Sequence, residues 1–419
     1  MNAQIILTIF IVFFIVEFLF SLYLDFINLN FISINSKKIP EYLRGEIDED
    51  TYRKSTEYSR AKLKFGMFMK VVDTIIIFPI IVLGGLGWWD SLIHNYGFEG
   101  SLRGVLYFLS LSLVFYVLGI PAALYSTFVL EEKFGFNTMT FKTWIFDQIK
   151  SLIISGILFS LLLSGLFWFM SATGDLWWVW AFIFVATIQL TLVFVYPILL
   201  APLFNKFTPL SDDGLKEKIL SVAKLGDFKA EGIFIMDGSK RSKHANAYFT
   251  GFGKIKRIVL FDTLIKALSE SQILSVLAHE IGHEKLGHMK KGLALSLVML
   301  FITFFFISIM MNYMPFFEAF GFESNSNHAG LAIFSFASAP ITFWLGPLFA
   351  SLSRKHEYEA DRFAAKIMGT FETLKAALIK LSKESLANFT PHPLYSFFHY
   401  SHPTLSERIK AMESSNGNK

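Results

Sequence analysis

Residues 4–31 read QIILTIFIVFFIVEFLFSLYLDFINLNF, a run with two acidic residues and no basic one. About 20 apolar residues are enough to cross the hydrocarbon core of a bilayer, and this run exceeds that length. It is too long for a secretory signal peptide, and it has neither a basic start nor an Ala-x-Ala-like end. We therefore expect a retained membrane span at the start of the chain.

Six further apolar runs follow, at residues 71–89, 106–130, 144–170, 176–204, 293–314 and 329–352. Hydrophobic residues make up 53% of the 419 residues and charged residues only 17%, against about 25% charged residues in soluble proteins. The absence of cysteine excludes disulfides, cysteine–zinc sites and thiol catalysis. The net charge of +4, without a basic stripe, indicates no nucleic-acid partner. The sequence therefore predicts an all-α polytopic membrane protein with seven transmembrane helices.

Lysine and arginine residues lie almost entirely on one side of these spans. Residues 171–175 and 312–328 contain none, and the loop before the third span contains only Arg103. The basic side carries Lys37, Lys38, Arg44, Arg53, Lys54, Arg60, Lys62, Lys64, Lys70, Lys133, Lys142, Lys290, Lys291, Arg354 and Lys355. Because cytoplasmic loops carry the excess of Lys and Arg, we expect the N-terminus outside and the other side cytoplasmic.

This arrangement divides the chain into four predicted parts: residues 1–204 with five spans, a cytoplasmic segment 205–291, residues 292–353 with two spans, and a cytoplasmic tail 354–419. The cytoplasmic parts are expected to form a small α+β domain. Its predicted elements are a helix from 211 to about 226, strands at 232–236 and 257–261, an edge strand at 245–250, a helix from Ser269 through Lys290, and tail helices at 357–368 and 371–386.

The segment that carries chemistry is Ala278-His279-Glu280-Ile281-Gly282-His283. Residues four apart lie on one face of a helix, so His279 and His283 can both direct an imidazole nitrogen at one Zn²⁺. Glu280 lies beside that face, where it can accept a proton from a water molecule that the metal activates. The pattern is the zinc-peptidase motif H-E-x-x-H, and it predicts a zinc-dependent hydrolase with one Zn²⁺ per chain.

A third protein ligand has to come from another element, because Glu284 and His288 are expected on other faces of the same helix. The best candidates lie in the segment 355–362, KHEYEADR. Glu357 and Asp361 are four residues apart and share a helix face. One of them can bind zinc while the other holds a ligand histidine by a hydrogen bond.

The chain resembles the type I CAAX prenyl endopeptidases, a family of membrane zinc proteases, in four motifs along nearly its whole length. They are 279–283 (HEIGH), 357–361 (EYEAD), 244–249 (HANAYF), and His402-Pro403 followed by Arg408. The resemblance implies seven helices around a water-filled chamber, with the zinc facing inward at its cytoplasmic end. The implied substrate is a peptide or protein, prenylated or not.

The resemblance also implies roles for single residues. Glu357 would be the third zinc ligand and Asp361 its partner in holding a ligand histidine. Asn246 and the strand around it, with Ala247, would bind the substrate backbone, as an edge strand can. His402 would stabilise the oxyanion, and Arg408 would lie near the site and the substrate.

Two other functions are compatible with parts of the sequence. A quality-control protease resembling HtpX shares the motif, but such proteins have fewer spans. A transporter or receptor with a vestigial metal site would be expected to show repeated halves or interrupted helices, which we do not find. The missing cysteine, the short loops and the lack of a C-terminal retrieval signal favour a prokaryotic plasma membrane over the endoplasmic reticulum.

Overall fold

The computed structural model describes residues 2–250 and 256–416. Seven helical runs in these ranges are long and apolar enough to cross a membrane, in agreement with the predicted count. They are Ala3–Asn35, Glu49–Val82, Gly100–Glu131, Phe141–Ala172, Gly174–Leu203, His288–Met310 and Asn327–Met368. The rest of the described chain forms a small sheet and shorter helices, so the predicted fold class is confirmed.

The helices of the first half are α1 (Ala3–Asn35), α2 (Glu49–Val82), α3 (Gly85–Asn95), α4 (Gly100–Tyr125), α5 (Phe141–Ala172) and α6 (Trp177–Val195). A π-helical turn, Ser126–Glu131, extends α4. The second half contains α7 (Asp213–Leu225), α8 (Asp262–Ala267), α9 (Glu270–Lys285), α10 (His288–Met310), α11 (Met314–Glu318), α12 (Asn327–Ala337), α13 (Ala339–Thr342), α14 (Gly346–Met368), α15 (Glu372–Glu384), α16 (Pro393–His399) and α17 (Leu405–Asn416).

Two span boundaries differ from the sequence prediction. The run 71–89 is not one helix, because Gly84 and Gly85 interrupt it: α2 ends at Val82 and α3 begins at Gly85. The seventh span and the first tail helix are not separate either, since α14 continues without a break from Gly346 to Met368. Glu357 is therefore carried on a rigid extension of a membrane span.

The membrane helices pack against one another mainly at their ends. The largest apolar cluster contains residues near the start of α1 and α4 and near the end of α2, α5 and α10. In contrast, residues 64–80, 112–129, 145–162 and 289–303 include no buried residue. A helix bundle that closes on a side-chain core buries residues along its length. The buried apolar residues of the spans thus lie mainly toward one end of each helix.

The four strands are β1 (Phe207–Pro209), β2 (Gly232–Met236), β3 (Ala247–Thr250) and β4 (Arg257–Phe261), in the sheet order β1-β2-β4-β3. The strands β2 and β4 lie parallel, and the two outer strands are antiparallel to their neighbours. The predicted third strand exists, although it is shorter than 245–250, and it lies at an edge. The strand β1 was not predicted, because three residues carry too little pattern.

The motif helix α9 begins as predicted and ends early. Its start has the expected capping box, in which the Ser269 backbone N–H donates to the side chain of Gln272 at 3.0 Å. It stops at Lys285 instead of continuing through Lys290, because Gly287 has a left-handed φ of 71°. A new helix, α10, begins at His288 and continues into the sixth span.

Candidate metal centre

The helices α9 and α14 cross at Gly282, the fourth residue of the motif. A Cβ atom at this position would lie 3.1 Å from the Ala360 Cα and 3.2 Å from the Phe363 Cβ. A side chain at this position would have to push these neighbours aside slightly, so glycine favours the close approach of the two backbones. Because Ala360 follows Glu357 by one helical turn, the contact brings a carboxylate of α14 to the two motif histidines.

Three side chains on these helices form a compact triangle: His279, His283 and Glu357. The two Nε2 atoms are 3.2 Å apart, and the Glu357 oxygens lie 3.4 Å from the His279 Nε2 and 3.2 Å from the His283 Nε2. Ligands about 2.0–2.1 Å from a tetrahedral zinc are about 3.3–3.4 Å from one another. The triangle therefore has the size of one face of such a coordination sphere.

The other ring nitrogen of His279 faces a carboxylate. Its Nδ1 lies 2.8 Å from the Asp361 Oδ1, and Asp361 in turn accepts a hydrogen bond of 2.9 Å from the Arg408 Nε. All three residues are buried. Although burial disfavours the charged imidazole, the hydrogen bonds to Asp361 and Glu357 raise the pKa of His279 to about 9. Asp361 thus orients His279, and Arg408 holds Asp361.

The second ring nitrogen of His283 contacts His288, a residue that the sequence prediction excluded as a third zinc ligand. The Nδ1 atoms of His283 and His288 lie 2.9 Å apart, and the His288 Nε2 lies 3.0 Å from the Glu359 Oε2. His288 also stacks on His356, with the ring centroids 4.0 Å apart. His288 lies outside the group of His279, His283 and Glu357, in line with its exclusion as a third ligand. Its contact with His283 was not predicted, because the sequence prediction assumed one unbroken helix. The glycine at 287, a common helix stop, was the available signal.

Glu280, between the two histidines in sequence, is partly buried at the same site. Burial raises the pKa of Glu280 above its ordinary value, against the opposing influence of His279 and His283. A carboxylate with a raised pKa is a better proton acceptor near neutral pH than an ordinary glutamate.

Two residues of the C-terminal segment also reach Glu357. The His402 Nε2 lies 3.4 Å from the Glu357 Oε1, and the Arg408 Nη1 lies 3.4 Å from the Glu357 Oε2. Arg408 is buried, whereas the His402 side chain is 66% exposed. The structure therefore brings together residues that are 129 positions apart in the chain, such as His279 and Arg408.

The predicted substrate strand lies at the sheet edge. Asn246 is exposed and immediately precedes β3. Its carbonyl accepts a hydrogen bond of 3.0 Å from the Phe261 N–H, while its side-chain Oδ1 accepts one of 2.8 Å from the Ala247 N–H. Ala247 is the next residue along the strand and pairs with Leu260. It occupies a non-hydrogen-bonded position of the antiparallel pair, so its backbone N–H and C=O point away from β4. This edge of β3 pairs with no other described strand, and the Ala247 N–H is occupied by the Asn246 side chain.

The chain has seven candidate membrane spans, two histidines on an H-E-x-x-H helix, and a glutamate from a second helix beside them. These are the features of a membrane metallopeptidase. Comparison with known protein families identifies the family to which the chain belongs. A family described as "CAAX prenyl protease N-terminal, five membrane helices" matches residues 28–206, and "Peptidase family M48" matches residues 209–416. The chain belongs to the CAAX prenyl protease 1 group of the M48 peptidase family and is a metalloendopeptidase.

Individual relatives agree over almost the full length. The chain is 36% identical to the CAAX prenyl protease 1 homolog of Arabidopsis thaliana, covering 96% of both chains. It is 36% identical to CAAX prenyl protease 1 of Saccharomyces cerevisiae, covering 95% of this chain and 93% of the relative. The crystal structure of S. mikatae Ste24p is similar, with a TM-score of 0.89, 35% identity, and coverage of 97% and 98%.

These findings confirm the resemblance seen in the sequence. A protease of this family acts on peptides or proteins and is embedded in a membrane by several spans. The family implies a metal ion. A transporter or receptor function has no support from the comparisons, and the full-length similarity to CAAX prenyl proteases favours this group over an HtpX-like protease.

Proposed function

We propose that the protein is a zinc endopeptidase that cleaves near the C-terminus of CAAX-type peptides. The observation that carries the proposal is the triangle of His279, His283 and Glu357, with edges of 3.2–3.4 Å. Two imidazoles and one carboxylate are a ligand set that catalytic zinc uses, with a fourth position left for water or substrate. Zinc bound there would supply Lewis acidity and lower the pKa of a water molecule.

The residues around the triangle have complementary roles in this proposal. Glu280 accepts the proton of the attacking water and later passes it to the leaving amine, which its raised pKa favours. Asp361 fixes the ring of His279 through the contact at 2.8 Å. His402, exposed beside Glu357, donates a hydrogen bond to the oxyanion of the tetrahedral intermediate. Arg408 keeps Asp361 and Glu357 charged and in place.

The substrate peptide is held by the edge of β3. An extended peptide that pairs with a sheet edge is bound through its main chain, so its side chains can vary. The backbone groups of Ala247 that point away from β4, and the side-chain amide of Asn246, are the proposed contacts. The relatives are named CAAX prenyl proteases, which suggests substrates with a C-terminal CAAX sequence. The chamber between the spans, which the family resemblance implies, would receive the attached peptide and its prenyl group.

The orientation follows from the Lys and Arg distribution. We propose that the N-terminus is outside and that the metal centre lies on the cytoplasmic side, surrounded at its edge by membrane lipid. The described parts of the segments 205–291 and 354–419 pack together around that centre. We propose that both segments lie on the cytoplasmic side of the membrane. The lack of cysteine and the short loops favour a prokaryotic plasma membrane.

One set of measurements tests the proposal. Purified protein is analysed for metal by mass spectrometry and incubated with paired CAAX peptides, with and without a prenyl group on the cysteine. We expect about one zinc per chain, loss of cleavage on chelation and recovery on adding zinc. Product masses give the cleaved bond. Full cleavage after complete removal of metal would contradict the zinc mechanism, and preference for peptides lacking any CAAX sequence would contradict the substrate class.

A further inference from the structure

A cavity of about 590 Å³ lies outside the metal centre, whose residues do not line it. It lies between α1 and α2 on one side and the segment that links α15 to α16 on the other, and its lining includes His244 and Tyr400. His244 precedes Asn246 by two residues, and Tyr400 precedes His402 by two. Two of its lining residues are thus close along the chain to the beginning of β3 and to His402.

One ammonium group in this cavity has no carboxylate partner. Lys70 also lines the cavity, but it forms an ion pair with Asp25. Lys62 has no ion pair with any described residue, and its Nζ lies 5.1 Å from the ring centroid of Tyr58. The Tyr58 hydroxyl donates to the Glu131 Oε1 at 2.6 Å, which fixes the ring beneath Lys62. Among the described residues, the lining thus offers one ammonium group without an ion pair, while the Glu131 carboxylate contacts the lining residues Tyr58 and His244.

A buried amide adds a second donor. Asn28 is 2% exposed and lines the same cavity. Its Oδ1 accepts a hydrogen bond of 2.9 Å from the His392 N–H, which fixes the orientation of the amide. Its Nδ2 has no partner among the described residues, so both N–H groups remain for a ligand. A buried, oriented amide and a free ammonium in one cavity suit a carboxylate.

The direction of the peptide on β3 decides which end reaches this cavity. Antiparallel pairs outnumber parallel pairs and are slightly more stable, so a peptide adding to the free edge is expected to run opposite to β3. Its C-terminal side then points toward the start of β3, and so toward His244 and the cavity. A volume of about 590 Å³ is within the usual range for a site that encloses a small ligand, about 300–1,000 Å³.

We propose that this cavity binds the residues on the C-terminal side of the cleaved bond, and that Lys62 and Asn28 bind the terminal carboxylate of the substrate. This inference rests on the proposed function, because it places the cleaved bond at the metal centre. It explains how a protease that binds its substrate through the main chain can select a chain end: only a peptide that ends within the cavity brings a carboxylate to Lys62.

The experiment uses two quenched fluorescent peptides that end in Cys-Val-Ile-Ala and differ only in a free carboxylate or a C-terminal amide. The purified, metal-loaded protein should cleave the acid with a kcat/KM about fivefold above that of the amide, mainly through KM, as expected for one solvent-accessible ion pair. In Lys62→Met the acid should lose this advantage while the amide is cleaved as before. Lys62→Arg should retain most of it.

Lys64→Met is the matched control, because Lys64 is on the same helix and lines a different, largely apolar cleft. It should leave the ratio of acid to amide unchanged. Equal KM values for the two peptides in the wild type would overturn the inference, and so would an unchanged ratio of acid to amide kcat/KM in Lys62→Met. In either case, cleavage of both peptides would leave the zinc-peptidase proposal standing. If neither peptide is cleaved, calorimetry can measure the binding of free Val-Ile-Ala and of its amide. Equal affinities would overturn the proposed carboxylate site. Tighter binding of the acid, lost in Lys62→Met, would support it.

Discussion

The Nδ1 atoms of His283 and His288 lie 2.9 Å apart, although a helix end at Lys285 and a left-handed glycine separate the two residues. If the Nε2 of His283 binds the metal, its Nδ1 carries the proton and donates to His288. The Nε2 of His288 then donates to Glu359, 3.0 Å away. The chain of hydrogen bonds fixes one tautomer of His283 and the orientation of its ring.

We predict that breaking this chain weakens metal binding. His288→Phe keeps the flat ring that stacks on His356 and removes both nitrogens, so the affinity for zinc should fall about 10- to 100-fold. Competition with a chelator of known affinity measures the change. Glu284→Gln is the control, because Glu284 is adjacent to His283 but pairs with Lys256. Equal affinity in His288→Phe and the wild type would show that His288 does not position the ligand.

Glu280→Gln is predicted to separate metal binding from catalysis. The substitution preserves the shape of the side chain and removes the proton acceptor, so kcat should fall about 100- to 10,000-fold. Zinc content and thermal unfolding should remain as in the wild type. Glu270→Gln, on the exposed first turn of the same helix, should change none of these quantities. Activity near the wild-type level in Glu280→Gln would place the general base elsewhere.

Removing a ligand should affect the metal itself. His283→Ala and Glu357→Ala each leave two of the three protein ligands, so zinc occupancy after dialysis should fall together with activity. Glu357→Ala also removes the carboxylate that contacts Arg408 and His402. Metal analysis of the dialysed protein is the measurement. Full zinc content in Glu357→Ala would exclude Glu357 as a ligand and direct attention to Glu359 or His356.

The sequence was sufficient for features that depend on local pattern. Seven apolar runs predicted seven spans, and short runs of β-branched and other apolar residues located β2 and β4. The capping residues Ser269 and Gln272 fixed the start of α9, because a cap acts within one helical turn. The spacing of His279 and His283 specified two ligands for the same reason.

Features that depend on where two helices meet could not be predicted from local sequence pattern. Spacing alone left Glu357 and Asp361 as alternatives. The distances of 3.4 and 3.2 Å from Glu357 to the two Nε2 atoms show that Glu357 faces both histidines. The contact of His288 with His283 was missed because one glycine ends α9 and starts a new helix at His288. The cavity beside Lys62 is formed by parts of the chain about 330 residues apart, so no local pattern contains it.

The topology is also open to test. We predict that a tag at the N-terminus is reached only from outside the cell or from an organelle lumen, and that a tag at the C-terminus is reached only from the cytoplasm. Seven spans and the uneven distribution of Lys and Arg are the reasons. Protease protection on intact and permeabilised membranes measures both. Labelling of the two termini from the same side would require an even number of spans.

The free edge of β3 yields the sharpest test of substrate binding. The Phe261 N–H donates to the Asn246 carbonyl, so position 247 is the neighbouring non-hydrogen-bonded position of the antiparallel ladder. The Ala247 N–H is then directed at the free edge, where the Asn246 side chain accepts it at 2.8 Å. Replacing this residue by proline removes a donor that a substrate would use and leaves the hydrogen bonds to β4 intact.

Ala247→Pro should therefore raise KM or abolish cleavage while the protein stays folded and loaded with metal. Ala247→Ser is the matched control, because it keeps the N–H group and nearly the same volume at this buried position. Asn246→Ala should have a milder effect on kcat/KM, since it removes a side-chain contact and leaves the backbone donor of residue 247 free. Steady-state kinetics on long and short peptides distinguishes main-chain pairing from binding through side chains alone, because main-chain pairing favours longer peptides. A folded, zinc-loaded Ala247→Pro protein with wild-type kinetics on long peptides would refute strand pairing at β3, and the metal site would then have to bind its substrate through side chains alone.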